Sequence, residues 1–158
     1  MRKAVISVLS LLTGAVAGAL AAGRLECDRR KREEKISGKF IAMFYMMNRW
    51  VRAKQQGKNL SVYFEENGYH KIAIYGMSDV GETLLEELKN TRTEVAYGID
   101  RKVFSRKMDI KMVSPDDMLE CVDAIIVTAI DYYDEIKEKL RGRVECPVIS
   151  IEDVIFEV

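Results

Sequence analysis

Short apolar runs alternate with amphipathic stretches over residues 70–100. The runs at 72–75 and 95–99 have the length and composition of buried strands. Between them, apolar residues recur at helical spacing, and Asn90 marks the end of this predicted helix. A strand, a helix and a second strand within about 30 residues are typical of a parallel βαβ unit.

Three further apolar runs extend the pattern along the chain. They lie at residues 110–113, 122–129 and 147–151, and each has the length of a strand. A short helix is predicted to start at 114–117, where a serine, a proline and two acids suit a helix start, and another over 132–140. This alternation predicts an α/β fold with a five-stranded parallel Rossmann-like sheet, most simply in the order 3-2-1-4-5.

The amino-terminal segment has a different pattern. Residues 4–23 carry no charge over a length that crosses the hydrocarbon core of a membrane as a helix. Such a segment is either a retained signal anchor or a cleaved signal peptide, since small residues near position 21 offer a cleavage site. Basic residues at 29–32 resist export. We therefore expect residues 1–23 to be a single-pass transmembrane anchor in the cell membrane, with the following domain in the cytoplasm.

Residues 24–58 form a charged juxtamembrane segment and a predicted amphipathic connecting helix. Its apolar residues recur at three- and four-residue intervals: Ile36, Phe40, Met43, Phe44, Met47, Trp50 and Val51. We expect this face to dock on the domain at 59–158 or on a second copy; another protein's groove and the membrane surface are alternatives. A homodimer would form through the helix at 36–56 or through Gly14 and Gly18, whose spacing lets membrane helices approach closely.

Composition and charge exclude several classes of function. The 158-residue chain has equal numbers of basic and acidic residues, so no overall field attracts it to nucleic acid. Its three cysteines are widely spaced, and its single histidine cannot complete a metal cluster. We therefore expect no nucleic-acid partner, no bound metal, and a reducing compartment without a disulfide framework.

Candidate chemistry lies in the glycine turn between the first predicted strand and its helix. The turn is Gly76-Met77-Ser78-Asp79-Val80-Gly81, with a serine at the middle glycine of the dinucleotide-binding pattern G-x-G-x-x-G. Gly76 permits a sharp turn, and Gly81 lets the helix approach the sheet. The helix amino terminus favours a phosphate, although Asp79, which suits the N-cap position, would repel it.

The rest of the predicted site comes from the ends of other strands. Asp100 lies 19 residues after Gly81 and is expected to bind ribose hydroxyls. In the predicted order, Arg101, Thr128 and Ala129 line the same crevice. These positions predict a site for NAD(P) or a nucleotide-sugar.

No catalytic set accompanies this site. Tyr133 and Lys137 have the Y-x-x-x-K spacing of short-chain dehydrogenases, but two common residues match this spacing easily by chance. The helix that carries them should also cover the sheet rather than face the crevice. Rossmann enzymes normally add a substrate domain, for which few residues follow the fifth predicted strand. We therefore expect a binding protein rather than an enzyme.

The segments that carry these motifs resemble a known family. The stretches are KIAIYGMSDVGETLLEEL, AYGIDRK, MVSPDD and VDAIIVTAIDYYDEI, within residues 48–158. They resemble the small Rossmann-like domain of bacterial polysaccharide (capsule) biosynthesis proteins. Similar domains stand at the amino terminus of membrane-bound nucleoside-diphosphate-sugar epimerases and dehydratases, and at the carboxyl terminus of sugar C-methyltransferases.

The resemblance implies a membrane-tethered module that binds a nucleotide or nucleotide-sugar and assists polysaccharide biosynthesis, with a glycosyltransferase as a partner. It implies no catalytic residues, because those enzymes carry their chemistry in other domains. Two alternatives stay open. One is an NAD(P)-dependent oxidoreductase or epimerase-like enzyme, and the other is a ligand-free scaffold that recruits a glycosyltransferase.

Overall fold

The computed structural model describes the backbone of residues 2–101 and 109–158, and side chains from Arg24 onward except residue 25. The chain divides into two compact units, Met1–Phe44 and Tyr45–Val158. No helix whose side chains are described is long and apolar enough to cross a membrane. The predicted transmembrane anchor at 1–23 lies outside those residues.

A five-stranded sheet forms the centre of the second unit, and its described pairings are all parallel. The strands are β1 (Lys71–Tyr75), β2 (Glu94–Ile99), β3 (Met112–Val113), β4 (Ala124–Val127) and β5 (Val148–Ser150). Their order is β3-β2-β1-β4-β5. The predicted α/β fold and strand order are therefore confirmed, although β3, β4 and β5 are shorter than the apolar runs that predicted them.

A long helix and a short helix precede the sheet, and further short helices follow or connect its strands. They are α1 (Arg2–Gln55), α2 (Ser61–Glu66), α3 (Asp79–Leu88), α4 (Tyr133–Leu140) and α5 (Ile151–Glu157), with a 3₁₀ turn at Ile130–Tyr132. The helix predicted over 132–140 is confirmed by α4. The helix predicted to end at Asn90 ends slightly earlier, at Leu88, and Asn90 takes a left-handed φ of 62°.

The central strand β1 and its two neighbours, β2 and β4, carry the core. Alternation along the strands places Ala73, Tyr97 and Ile125 on one face, where they pack in a cluster with Ile136 and Leu140 of α4. The chain continues from β1 to β2 on one side of the sheet, and from β4 to β5 on the other side. The connections therefore diverge between β1 and β4, which opens a crevice at their carboxyl ends.

The short helix predicted at 114–117 is wrong, because these residues form a turn. The Asp117 carboxylate accepts the backbone N–H of Ser114 at 2.8 Å, and the Asp117 N–H donates to the Ser114 carbonyl at 3.1 Å. Arg143 donates to the carbonyl oxygens of Pro115 and Asp117 at 2.7 and 3.0 Å. Side chains thus form hydrogen bonds with the backbone N–H and carbonyl groups that a helix would pair with one another.

The end of α1 belongs to the core of the second unit. Met46, Trp50 and Ala53 are buried, and Arg49 donates two hydrogen bonds to carbonyl oxygens at the carboxyl end of α5. A cation at the carboxyl end of a helix also opposes the negative end of the helix dipole. This segment is therefore an integral part of the α/β unit.

The apolar residues predicted to form the docking face of the connecting helix differ in burial. Trp50 is buried, whereas Ile36, Phe40, Phe44 and Val51 are 50–72% exposed. The buried row at 46, 50 and 53 lies about a third of a turn around the helix from the row at 36, 40 and 44. Apolar residues therefore lie on more than one side of α1.

Glu87 of α3 joins three segments at one carboxylate. Its Oε2 accepts the indole N–H of Trp50 at 2.7 Å, and its Oε1 accepts the backbone N–H of Leu60 at 2.9 Å. The Lys54 ammonium lies 3.2 Å from the same Oε1. The Glu87 side chain is only 6% exposed. It thereby fixes the end of α1 and the start of α2 against α3, the helix whose other end forms the glycine turn.

Candidate functional site

Gly76 makes the sharp turn out of β1. Its φ is +99°, and its N–H donates to the Ile99 carbonyl at 2.9 Å. A Cβ at this position would lie 2.9 Å from Thr128 Oγ1 and 3.1 Å from the Ala129 nitrogen. Both the positive φ and the lack of space require glycine. The sequence-predicted neighbours Gly76, Thr128 and Ala129 are therefore brought together at the crevice.

Gly81 brings the first turn of α3 against the glycine turn. A Cβ at Gly81 would lie 2.2 Å from the Gly76 carbonyl oxygen, a distance that no side chain tolerates. The close approach holds the amino terminus of α3 directly beside the carboxyl end of β1. The role predicted for Gly81, close helix–sheet packing, is confirmed by this contact.

Ser78, and not Asp79, is the N-cap residue of α3. Ser78 has the extended backbone of a cap, with φ −89° and ψ −165°, and Asp79 is the first helical residue. The exposed Ser78 side chain makes no capping hydrogen bond to the described first turn of α3. The prediction that Asp79 suits the cap is wrong by one residue, because the chain is still extended at Ser78.

Asp100 closes the glycine turn from the end of β2. Its Oδ2 accepts the backbone N–H of Met77 at 2.9 Å. The carboxylate predicted to bind ribose therefore has a structural partner within the turn itself. Arg101, the next predicted site residue, is exposed.

Met77 and Val80 point into the protein rather than into the crevice. Met77 is 4% exposed and Val80 is 6% exposed. A Cβ at Gly98 of β2 would lie 2.7 Å from both Met77 Cγ and Met112 Sδ, so the Met77 side chain packs across the face of β2. Among the turn residues, these two contribute their backbone to the crevice and their side chains to the core.

Thr128 locks the turn from the side of β4. It is 2% exposed, and its hydroxyl donates to the carbonyl oxygens of Tyr75, at 3.2 Å, and of Gly76. Its N–H donates to the Tyr75 carbonyl at 2.9 Å. Two ends of neighbouring strands are therefore fixed by one side chain, which gives the crevice a rigid floor.

The elements that meet at the crevice carry several acids. Asp79 and Glu82 lie in the first turn of α3, Asp100 ends β2, and Asp131 lies in the 3₁₀ turn after β4. The carboxylates contribute a negative potential that opposes a bare phosphate, whereas the dipole of α3 favours it. A ligand with polar neutral groups beside its phosphate suits this combination better than a phosphate alone.

Tyr133 and Lys137 are adjacent in space but serve the fold. The Tyr133 hydroxyl donates to the Val148 carbonyl at 2.9 Å, and Lys137 Nζ lies 3.2 Å from the same hydroxyl. Val148 is on β5, the edge strand, so Tyr133 satisfies a carbonyl that no further strand pairs with in the described sheet. This contact explains the pair without catalysis.

Sequence reasoning missed the role of Asp123. Its Oδ2 accepts the backbone N–H groups of His70 and Lys71 at 2.8 and 2.7 Å. Asp123 therefore joins the amino ends of β4 and β1, at the opposite end of the sheet from the crevice. An acid directly before a buried apolar strand is the signal that marks this role, but the sequence does not show which N–H groups it accepts.

Two surface cavities of about 430 and 440 Å³ lie away from the glycine turn. The first is lined by Lys137, Arg141 and Cys146, and the second by Lys58 and Tyr63, among others. Burial, together with the nearby Glu157 carboxylate, raises the pKa of Tyr63 to about 12. Neither cavity shares a lining residue with the glycine turn. Among the described side chains, no cluster of His, Cys, Asp and Glu is placed to hold a metal ion.

Comparison with known proteins places the α/β unit in a family. The family model described as C2185-like, N-terminal, matches residues 68–147, just over half of the chain, and spans the glycine turn, Asp100 and Thr128. Searches of the curated proteins and of the solved structures returned no match. On the family match, the chain belongs to the C2185-like N-terminal family.

Proposed function

We propose that this chain is a membrane-tethered Rossmann-like module that binds a nucleotide or nucleotide-sugar and assists polysaccharide biosynthesis. One observation carries the proposal: the glycine turn and the amino terminus of α3 lie at the point where the strand order reverses. Ligands of open parallel sheets bind in this crevice, outside the carboxyl ends of the strands.

The local geometry supports a phosphate-containing ligand. Gly81 sets the first turn of α3 against Gly76, so the free N–H groups and the positive dipole end of the helix face the crevice. The Ser78 hydroxyl, which does not cap the described helix, is a further donor at that end. Asp100 and Thr128 hold the turn in position before any ligand arrives, which lowers the entropic cost of binding.

The membrane anchor and the polysaccharide context rest on sequence. The uncharged residues 4–23 and the basic cluster at 29–32 support a single-pass anchor with the α/β unit in the cytoplasm. Resemblance to domains of polysaccharide biosynthesis proteins supports a glycosyltransferase as the partner. Cytoplasmic nucleotide-sugars are the substrates of such enzymes, so a tethered binding module at the membrane would act beside them.

A ligand-free scaffold is the second candidate. The observation that favours it is the set of acids around the crevice, together with the engagement of the Asp100 carboxylate by the Met77 N–H. Nothing comparable favours an NAD(P)-dependent enzyme, because the Tyr133 hydroxyl donates to a carbonyl of β5.

Thermal unfolding of the full chain in detergent tests the proposal. Trp50 is the single tryptophan and is buried, so its fluorescence reports unfolding. NAD, NADP and UDP-glucose are added one at a time. A ligand at a hundred times its dissociation constant stabilises the folded state by about 2.7 kcal/mol, which raises the melting temperature by several degrees.

Variants separate binding from folding. Ser78→Phe adds a bulky group at an exposed position. The rise in melting temperature that the ligand causes should therefore disappear, while the melting temperature without ligand stays the same. Asp100→Asn keeps an acceptor for the Met77 N–H and removes the charge, so it should alter binding rather than folding. Glu66→Gln is its control, since Glu66 is exposed at the end of α2, before the amino end of β1. The absence of a shift with all three ligands would reject nucleotide binding and leave the scaffold.

A further inference from the structure

Two cysteines precede the neighbouring strands β4 and β5. Cys121 lies three residues before β4, and Cys146 lies two residues before β5. The two strands pair in parallel, so the segments that lead into them reach the sheet at the same end. The Ile125 N–H donates to the carbonyl of Pro147, the residue after Cys146, at 2.9 Å. The topology therefore brings to one end of the sheet two thiols that lie 25 residues apart in the sequence.

Tyr97 of β2 contacts both of these segments. Its hydroxyl donates to the Glu120 carbonyl at 2.7 Å, one peptide unit away from Cys121. Cys146 packs against the buried cluster that contains Tyr97. The Tyr97 side chain is 1% exposed, so it is a fixed point in the core. Both cysteines are therefore adjacent to one buried side chain, which limits the distance between them.

Side chains also hold the two segments against each other. The Lys139 ammonium, on α4, lies 2.7 Å from the Asp116 carboxylate. Arg143, in the connection from α4 to β5, donates to the carbonyl oxygens of Pro115 and Asp117 at 2.7 and 3.0 Å. The segment before β4 is therefore linked to the connection that leads into β5. A thiol in one segment then meets the thiol in the other far more often than a thiol of another molecule.

The two thiols differ in their access to solvent. Both are free in the structure, Cys121 is exposed, and Cys146 is half-buried on the wall of the surface cavity of about 430 Å³. Burial, together with the nearby charge of Cys121, raises the pKa of the Cys146 thiol. Cys121 is therefore the thiol that a small reagent reaches first, and Cys146 is the second to react.

We infer that Cys121 and Cys146 form a redox-sensitive thiol pair, which a low-molecular-weight disulfide oxidises to a reversible intramolecular disulfide bond. The Cys121 thiolate attacks one sulfur of the small disulfide and displaces one small thiolate. The Cys146 thiolate then attacks the Cys121 sulfur of this mixed disulfide and displaces the second. Two protein thiols are thereby oxidised, one small disulfide is reduced to two thiols, and the protons of the cysteines pass to the displaced thiolates.

The disulfide bond lies away from the crevice. It closes a loop that contains β4 and α4, at the amino ends of the strands and opposite the glycine turn. A cross-link of this kind restricts the unfolded chain, so the oxidised protein should melt at a higher temperature than the reduced protein. In a reducing compartment such bonds are mostly transient and respond to the redox state. The inference does not depend on whether the crevice binds a nucleotide.

Thiol counting in the full chain, in a mild non-ionic detergent, tests the inference. Cys27→Ser is the background, so that Cys121 and Cys146 are the two cysteines that remain. Glutathione and glutathione disulfide are mixed at varied ratios, exchange is stopped with acid, and a polyethylene-glycol maleimide then marks each free thiol on a non-reducing gel. The two thiols should disappear together in a protein of monomer mass, and dithiothreitol should restore both.

Two comparisons make the result decisive. Added to the background, Cys121→Ser and Cys146→Ser each leave one thiol, which should form only a mixed disulfide with glutathione, detected by its added mass. In denaturant, the equilibrium constant for the disulfide bond of the background protein should fall at least about tenfold, because the fold no longer holds the segments together. Mixed disulfides alone in the background protein, cross-linked dimers, or an equilibrium constant that denaturant leaves unchanged would each overturn the inference.

Discussion

Replacing Glu87 with alanine should release the end of α1 from the α/β unit. The Glu87 carboxylate accepts hydrogen bonds from the Trp50 indole and the Leu60 backbone and pairs with Lys54. Alanine offers none of these acceptors. The indole N–H and the Leu60 N–H would then be left in a buried environment without a partner, since Trp50 is 2% exposed and Leu60 is fully buried.

The magnitude follows from the burial of each donor. A hydrogen bond to a charged group contributes about 1.5–3 kcal/mol, and loss of one partner also leaves the desolvation cost of the other. The two buried donors therefore account for about 3–6 kcal/mol. The Lys54 side chain is 45% exposed, so its pair adds at most about 1 kcal/mol after screening by solvent. Since domains are stable by about 5–15 kcal/mol, this loss is large.

Denaturant unfolding of the full chain, followed by Trp50 fluorescence, measures the loss. Trp50 is both the reporter and one of the lost donors, so undocking should also shift its emission to longer wavelength before the sheet unfolds. Glu87→Gln keeps an oxygen acceptor and should cost about half as much. Glu86→Ala is the matched control. Its side chain is 66% exposed and pairs with Lys89 one turn away, so it should cost less than about 0.5 kcal/mol.

Either of two results would refute this role of Glu87. One is a loss below about 1 kcal/mol for Glu87→Ala, which would mean that water or another group replaces the carboxylate at no cost. The other is an equal loss for Glu86→Ala and Glu87→Ala, which would point to helix propensity rather than to the buried hydrogen bonds.

Three further predictions concern other contacts. Gly81→Ala should cost at least about 3 kcal/mol in denaturant unfolding, because its Cβ would lie 2.2 Å from a carbonyl oxygen; Gly38→Ala, in open space on α1, should not destabilise. Asp123→Ala should lower the melting temperature by removing an acceptor from two strand N–H groups, and Asp123→Asn should restore most of it. Burial raises the pKa of Tyr97 to about 12. The neutral Tyr97 side chain therefore stabilises the folded state fully below about pH 10, and this stabilisation is lost as the pH rises toward 12. In Tyr97→Phe, the free energy of unfolding should fall less over that pH range.

The sheet was predictable because its strands are continuous apolar runs. A strand buried on both faces has no polar positions, and β1 and β4 show this pattern in the sequence as they do in the structure. The glycine turn was predictable for a related reason. Gly76 and Gly81 are fixed by a positive φ and by a close approach, and both constraints leave only one residue type.

The features that were mispredicted depend on long-range partners. The serine, proline and acids at 114–117 suit a turn as well as a helix start. Arg143, 26 residues after Asp117, stabilises the turn by donating hydrogen bonds to its carbonyl oxygens. The choice of which α1 residues are buried likewise depends on a long-range partner. The sequence places apolar residues around much of the helix, and only the position of α3 with Glu87 selects Trp50 for burial.

Asp100 and Asp123 show why a site is harder to predict than a fold. Each is an acid beside a strand, and each accepts backbone N–H groups from the neighbouring segment: Asp100 from Met77, and Asp123 from His70 and Lys71. The sequence assigned a ligand to the first and no role to the second. In the structure both carboxylates accept hydrogen bonds from backbone N–H groups, at opposite ends of the sheet. What distinguishes them is position alone, because only Asp100 lies at the carboxyl ends of the strands, beside a helix amino terminus. A ligand that binds there must share the Asp100 carboxylate with the Met77 N–H. The negative charge of Asp100 then affects ligand binding, while its oxygen atom accepts the hydrogen bond that holds the turn. For this reason Asp100→Asn separates the two roles and Asp100→Ala does not.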